Sequence, residues 1–147
     1  MITQILIPTD FSHASWKATK IGIELAKLNN AQVNILHVIP FVSRFSNTKS
    51  QQHLPEKIDE IRLRMNDISK ELSEESVKIE NMVLSGNVEE TMLELIDRKE
   101  YDLVILGVNS HGTNNELGSH TSLVIEKSGI PVLIVPNNTH SHGAIAS

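Results

Sequence analysis

One stretch near the C-terminus combines residue types suited to holding an anion. Asp102-Leu103-Val104-Ile105-Leu106-Gly107 leads into Val108-Asn109-Ser110-His111-Gly112-Thr113-Asn114-Asn115-Glu116-Leu117, then Gly118-Ser119. An apolar segment follows and closes on Gly129-Ile130-Pro131-Val132-Leu133-Ile134-Val135-Pro136. The pattern reads strand, Gly-punctuated polar loop, helix, strand. A loop between a strand end and a helix start turns backbone N–H groups and the positive helix end toward an anion. Gly107, Gly112 and Gly118 permit close backbone approach there, although three glycines alone mark turns more often than phosphates. Ser119 and Thr121 offer hydroxyls at the helix start. Ser119 reads equally well as a helix N-cap. Glu116 would repel a polyphosphate if it pointed inward. These residues imply a phosphate or nucleotide site rather than a catalyst.

The histidines are weaker signals. His111, His120, His140 and His142 fit no zinc spacing and carry no interleaved carboxylates, so no metal site is expected. His37 falls within an apolar run and reads as a packed core histidine.

Composition narrows the remaining classes. At 147 residues, 39% hydrophobic and 21% charged, the chain suits one domain with a substantial core. The net charge of −5 argues against a nucleic-acid partner, which favours a basic face. The absence of cysteine excludes thiol catalysis, disulfides and Cys-based zinc sites, and fits a cytoplasmic location. The chain enters Ile5-Leu6-Ile7 without a basic region or a long apolar run. No signal peptide and no membrane span are expected.

The loop must be positioned by the elements around it. Ile5-Leu6-Ile7 reads as a buried strand. Ser12 is the expected N-cap of a helix carrying Ala14, Ala18, Ile21 and Leu25, with Gly22 marking close packing. Val33 to Val38 is a second strand, and Phe41 to Gln52 a polar loop. A helix starts near Leu54, with Pro55 in its first turn. Its apolar stripe is Ile58, Ile61, Met65, Ile68 and Leu72. Val77-Lys78-Ile79-Glu80 alternates, as an edge strand does. Asn87 with Glu90 resembles a capping box, opening a helix with Val88, Met92, Leu95 and Ile96. Leu103 to Leu106 is the fourth strand, Ser119 to Ser128 the last helix capped by Gly129, and Val132 to Val135 the fifth strand. Residues 1–136 thus form one domain, and 137–147 a small polar tail expected to be disordered. Five strands alternating with four helices imply a parallel sheet covered on both faces. Ligands in such sheets bind beyond the strand C-terminal ends where the winding reverses. Pro8-Thr9-Asp10 and the segment after Gly107 share such a crevice if strands one and four are neighbours.

Ile5-Leu6-Ile7-Pro8-Thr9-Asp10-Phe11-Ser12 resembles the opening of the universal stress protein family. Ile35-Leu36-His37-Val38 is similar to its second strand. Gly118-Ser119, the apolar helix and Pro131-Val132-Leu133-Ile134-Val135 are similar to its end. The resemblance implies an α/β doubly wound sheet of order 3-2-1-4-5 and a homodimer. It also implies an adenine nucleotide, ATP or AMP, in some members. Carried onto this chain, the base lies between Pro8-Thr9-Asp10 and the backbone of Val38. The phosphates reach the turn holding Gly107, Asn109, Ser110, His111 and Gly112, and the helix start at Gly118, Ser119, His120 and Thr121. The nucleotide-binding members carry Gly-x2-Gly-x9-Gly-Ser/Thr. Here the stretch from Gly107 to Gly118 is two residues shorter than that pattern, so weaker triphosphate binding is expected. Asp10 reads as a nucleotide contact or as a turn residue holding backbone N–H groups. Val38 can serve as core residue and adenine wall together.

Three functions compete at this point. The first is a stress or regulatory protein that binds an adenine nucleotide without substantial catalysis. The second is a dimeric interaction module whose phosphate loop has degenerated. The third is an enzyme on the same architecture, and it ranks far below. There is no His-x-Gly-His nucleotidyl-transfer motif, no Gly-x4-Gly-Lys-Ser/Thr loop, and no acidic pair after the first strand. Pro8-Thr9-Asp10-Phe11 is a poor flavin phosphate loop. The fifth strand is apolar at Val132, Leu133, Ile134 and Val135 yet lies at the sheet edge in the 3-2-1-4-5 order. A two-fold partner using strand 132–135 would cover it.

Overall fold

The computed structural model describes residues 1–40, 54–98, 100–109 and 119–137. The chain runs β1 (Gln4–Pro8), α1 (His13–Asn29), β2 (Gln32–Pro40), α2 (Leu54–Glu71), β3 (Ile79–Gly86), α3 (Val88–Arg98), β4 (Leu103–Asn109), α4 (Ser119–Lys127) and β5 (Val132–Asn137). The strands form one parallel sheet in the order β3-β2-β1-β4-β5. This is the doubly wound α/β order expected from the sequence.

Strand alternation divides the core between the two faces. Ile5, Ile7, Val33, Ile35 and Ile105 face α1 and α2, where they pack with Ala18, Ile23, Ile61 and Met65. Leu6, Leu36, Val38, Val104 and Leu106 face the other way, with Met92, Leu95 and Ile96 of α3 and Val124 of α4. Both faces of the central strands are therefore buried, which explains their unbroken apolar runs. Among the described residues, no helix is long and apolar enough to cross a membrane.

Local signals set most boundaries. Ser12 caps α1, its side chain accepting from the Ser15 N–H. Asn87 Oδ1 accepts the Glu90 N–H at 3.0 Å, as the capping spacing implied. Gly129 takes φ +71° after α4, a backbone state that favours glycine at a helix C-terminus. At Gly22 a methyl group would meet the Ile7 side chain, the close packing read from the sequence.

Several boundaries differ from expectation, most of all in β3, β4 and β5. β3 begins at Ile79 rather than Val77 and continues to Gly86. Its second half, Asn81 to Gly86, lacks strict alternation, but full register with β2 carries it. β4 extends past Leu106 through Gly107 to Asn109, because these residues pair with Val135, Pro136 and Asn137. Asn137, assigned to the tail by its polarity, is the last residue of β5 and is buried. The expected loop at 41–52 and the tail from 138 lie outside the described residues.

Asp102 ties the start of β1 to β4. Its Oδ2 accepts from the Thr3 N–H and hydroxyl, both at 2.8 Å, and from the Gln4 N–H at 2.9 Å. The Thr3 backbone bond first, then the Thr3 hydroxyl and the Gln4 N–H, hold the carboxyl below its ordinary value of 3.8. A depressed folded value means the stabilisation is present above the unfolded pKa and is lost as pH falls through the folded one. Asp102→Asn is therefore expected to lower stability in urea melts at pH 7 by well under about 1 kcal/mol, because these bonds are exposed and screened by solvent. The gap to the parent chain should close as the pH falls below 3.8.

Candidate functional site

The crevice forms where β1 and β4 part. Their ladder covers only Ile5 with Leu103 and Leu6 with Val104, whereas β1 follows β2 all the way to Pro8. Proline has no N–H to donate, so it suits a strand end of this kind. The first turn of α1 enters the gap. A Cβ at Gly107 would collide with the Ala14 carbonyl and stand 2.7 Å from the Ser15 nitrogen. Only glycine lets strand and helix approach so closely.

The turn from β1 to α1 is held by its own hydroxyls. Phe11 has φ +66°, a left-handed backbone that an aromatic residue rarely adopts. Its N–H donates to Thr9 Oγ1 at 3.0 Å. Ser15 Oγ donates to the Ser12 carbonyl at 2.9 Å, so the Thr9 hydroxyl donates to Ser15 Oγ at 3.0 Å. Asp10 Oδ1 accepts the Ser12 N–H at 2.9 Å. Burial pushes the Asp10 carboxyl up, but hydrogen bonds from the Ser12 side chain and backbone and from Ser15 outweigh it. Its pKa lies below the ordinary value, and it is ionised at neutral pH.

On β2, His37 Nδ1 lies 2.7 Å from the Thr9 carbonyl. A carbonyl only accepts, so Nδ1 carries the proton. The imidazole packs on Phe11 with centroids 4.7 Å apart, and the Arg64 guanidinium of α2 lies 4.1 Å from the Phe11 centroid. His37 is thus packed and satisfied, as its sequence position suggested, but it also lines the crevice.

Together these elements enclose a cleft of about 460 Å³. Pro8, Thr9 and Asp10 line it from β1, Val38 from β2, Gly107 and Asn109 from β4, and Thr121 from α4. Seven residues singled out in the sequence are thereby brought to one cavity. Ser110, His111, Gly112 and Gly118 lie outside the described residues, as do the side chains of Ser119 and His120. Ser15, Leu36, Val88, Met92 and Val108 complete the wall, and none belongs to the candidate contacts that the sequence motifs mark. Leu36 could have been found from Val38, since residues two apart share a strand face. Met92 and Val88 required the packing of α3. The wall is largely apolar at Leu36, Val38, Val88, Met92 and Leu106, with polar groups at Thr9, Asp10, Asn109 and Thr121. Such a surface suits a flat apolar moiety with a polar extension. Among the described residues no cluster of His, Asp and Glu could hold a metal ion.

Comparison with known proteins places this geometry in a family. The model of the universal stress protein family matches residues 1–136. The chain belongs to the universal stress protein family. Universal stress protein MJ0577 of Methanocaldococcus jannaschii is 30% identical over 156 residues, covering 92% of this chain and 95% of that protein. The solved structure of MJ0577 matches with a TM-score of 0.77 at 32% identity, covering 95% of this chain and 99% of that one. A universal stress protein solved in complex with cAMP shares the fold, with a TM-score of 0.67 at 24% identity and 92% and 97% coverage. A family protein from Arabidopsis thaliana, At3g01520, solved with AMP bound, shares it at a TM-score of 0.62 and 14% identity, covering 93% of each chain.

Gly107→Ala should destabilise the fold rather than tune the site, because the obstacle is helix backbone and cannot move aside. A loss of about 3 kcal/mol, the upper range for overpacking, or failure to fold is expected in urea denaturation.

Proposed function

We propose that this universal stress protein binds an adenine nucleotide in the β1/β4 cleft and acts as a regulatory stress protein in the cytoplasm without substantial catalysis. The observation that carries the reading is the apolar slot beside Val38, flanked by Pro8-Thr9-Asp10 and continued toward Asn109 and Thr121. The base fits against Val38, which lies beyond the last β1 partner of β2 at Leu36, so backbone on that side can read its edge. The phosphates extend past Gly107 toward Gly118, Ser119 and the α4 N-terminus. N–H groups there have no partner within the helix, and the helix dipole favours negative charge. The relatives solved with cAMP and AMP support an adenine nucleotide as the ligand class. Asp10 and His37 are the cleft's titratable side chains among the described residues. Both are held by the β1–α1 turn, Asp10 by the Ser12 N–H and His37 by the Thr9 carbonyl. Among the described residues neither is hydrogen-bonded to a nucleophilic thiol or amine, which supports ligand binding over turnover.

We also propose that the chain dimerises through β5. The strand is a sheet edge, Leu133 is 37% exposed, and Ile125 on the adjacent α4 is 42% exposed. Pairing with a second copy covers both.

Calorimetric titration with ATP, ADP and AMP tests the first proposal. AMP is expected to bind, ATP more weakly than the full family loop would allow, and Gly118→Val to abolish binding while leaving the oligomeric state intact. ATP should not be hydrolysed. If none of the three binds at millimolar concentration, the dimeric interaction module is the better account. For the second proposal, sedimentation should show a dimer at micromolar concentration that Leu133→Lys converts to monomer. A parent chain that sediments as a monomer would refute it.

A further inference from the structure

Asn109 and Asn137 are the last residues of β4 and β5 and are register partners in the sheet. Asn137 Nδ2 donates to Asn109 Oδ1 at 3.2 Å. Asn137 is 8% exposed, whereas Asn109 is exposed and lines the cleft. A primary amide has one acceptor oxygen and one two-proton donor. With Oδ1 engaged from behind, the Asn109 amide has its Nδ2 donors left for a ligand. No lysine or arginine lines the cleft among the described residues, and its one carboxylate there is Asp10. Among the described lining residues, the groups that could meet an anion at this end of the cleft are neutral donors. The orientation of each such donor then decides whether the wall attracts or repels a phosphoryl oxygen.

We propose that Asn137 is a positioning residue that fixes the Asn109 amide with its donors toward the ligand, making this wall selective for the phosphate of the nucleotide. The inference rests on the adenine-nucleotide reading above. It also explains a buried asparagine at the end of an edge strand, a placement that costs stability unless the amide is paired. Asn137 lies one residue beyond the family match at 1–136, so membership of the family does not supply it.

AMP and adenosine differ only in the phosphate, and titrating both separates positioning from general damage. Asn137→Ala is expected to weaken AMP about tenfold, the order of one hydrogen bond to a charged acceptor. Adenosine should change by less than about twofold, within ordinary scatter for a lost remote contact. In an Asn109→Ala background, Asn137→Ala should have no further effect on AMP, because its action runs through Asn109. Asn137→Asp keeps the shape but cannot donate. It should turn the Asn109 amide around and weaken AMP more than the alanine variant does, which also covers the case that Asn137→Ala does not fold. Equal losses for AMP and adenosine, or a full AMP loss that persists without Asn109, would overturn the proposal. Unchanged AMP affinity in both Asn137 variants would overturn it alone. A parent chain that binds neither AMP nor adenosine would overturn it together with the nucleotide reading.

Discussion

The close approach of α1 to Gly107 is the constraint on which the rest of the cleft depends. β1 and β4 part after a short ladder, and the first turn of α1 fills the gap with backbone rather than side chain. The approach requires a residue without a Cβ on β4. It also requires a tight turn out of β1, which the left-handed Phe11 provides. The hydroxyls of Thr9 and Ser15 and the carboxylate of Asp10 are spent on that turn, each bonded to a neighbour within it. A backbone conformation unfavourable by roughly 1–3 kcal/mol persists only where the surroundings over-determine it. Here the contacts of Phe11 with His37 and with Arg64 and the Thr9–Ser15 hydroxyl bond do so.

The consequence is a cleft with an apolar floor and, among the described residues, Asp10 as its one charged side chain. Apolar residues of β2, β4 and α3 supply a slot for a planar group, and their burial in the second core cluster fixes its width. Polar groups sit at one end, at Asn109 and the buried Thr121. A site of this character holds a ligand by shape and by oriented dipoles. Under the proposed function, that division suits binding of a nucleotide more than stabilisation of charge developing in a transition state.

Much of the fold was legible because local signals agreed with the tertiary arrangement. Ser12, Asn87 and Gly129 mark helix ends through capping chemistry that acts within a few residues. The runs Ile5-Leu6-Ile7 and Leu103 to Leu106 are buried on both faces and apolar throughout. Strand ends were less legible. Gly107, Asn109 and Asn137 look like loop by residue type and are strand because Gly107 pairs with Val135 and Asn109 with Asn137. The site divides in the same way. Thr9, Asp10 and Val38 stand in a recognisable string, whereas Met92 and Val88 reach the cleft through the packing of α3 across the sheet, which local pattern does not encode. His37 shows both sides: its strand position correctly implied a satisfied ring, but its partner, the Thr9 carbonyl, comes from another strand end.

The most direct test of the account is a crystal structure of the chain grown with saturating AMP. The account predicts the base against Val38, between it and Pro8-Thr9-Asp10, with the phosphate beyond Gly107 within hydrogen-bonding distance of Asn109. AMP bound elsewhere on the protein, or an empty cleft at saturating AMP, would contradict it.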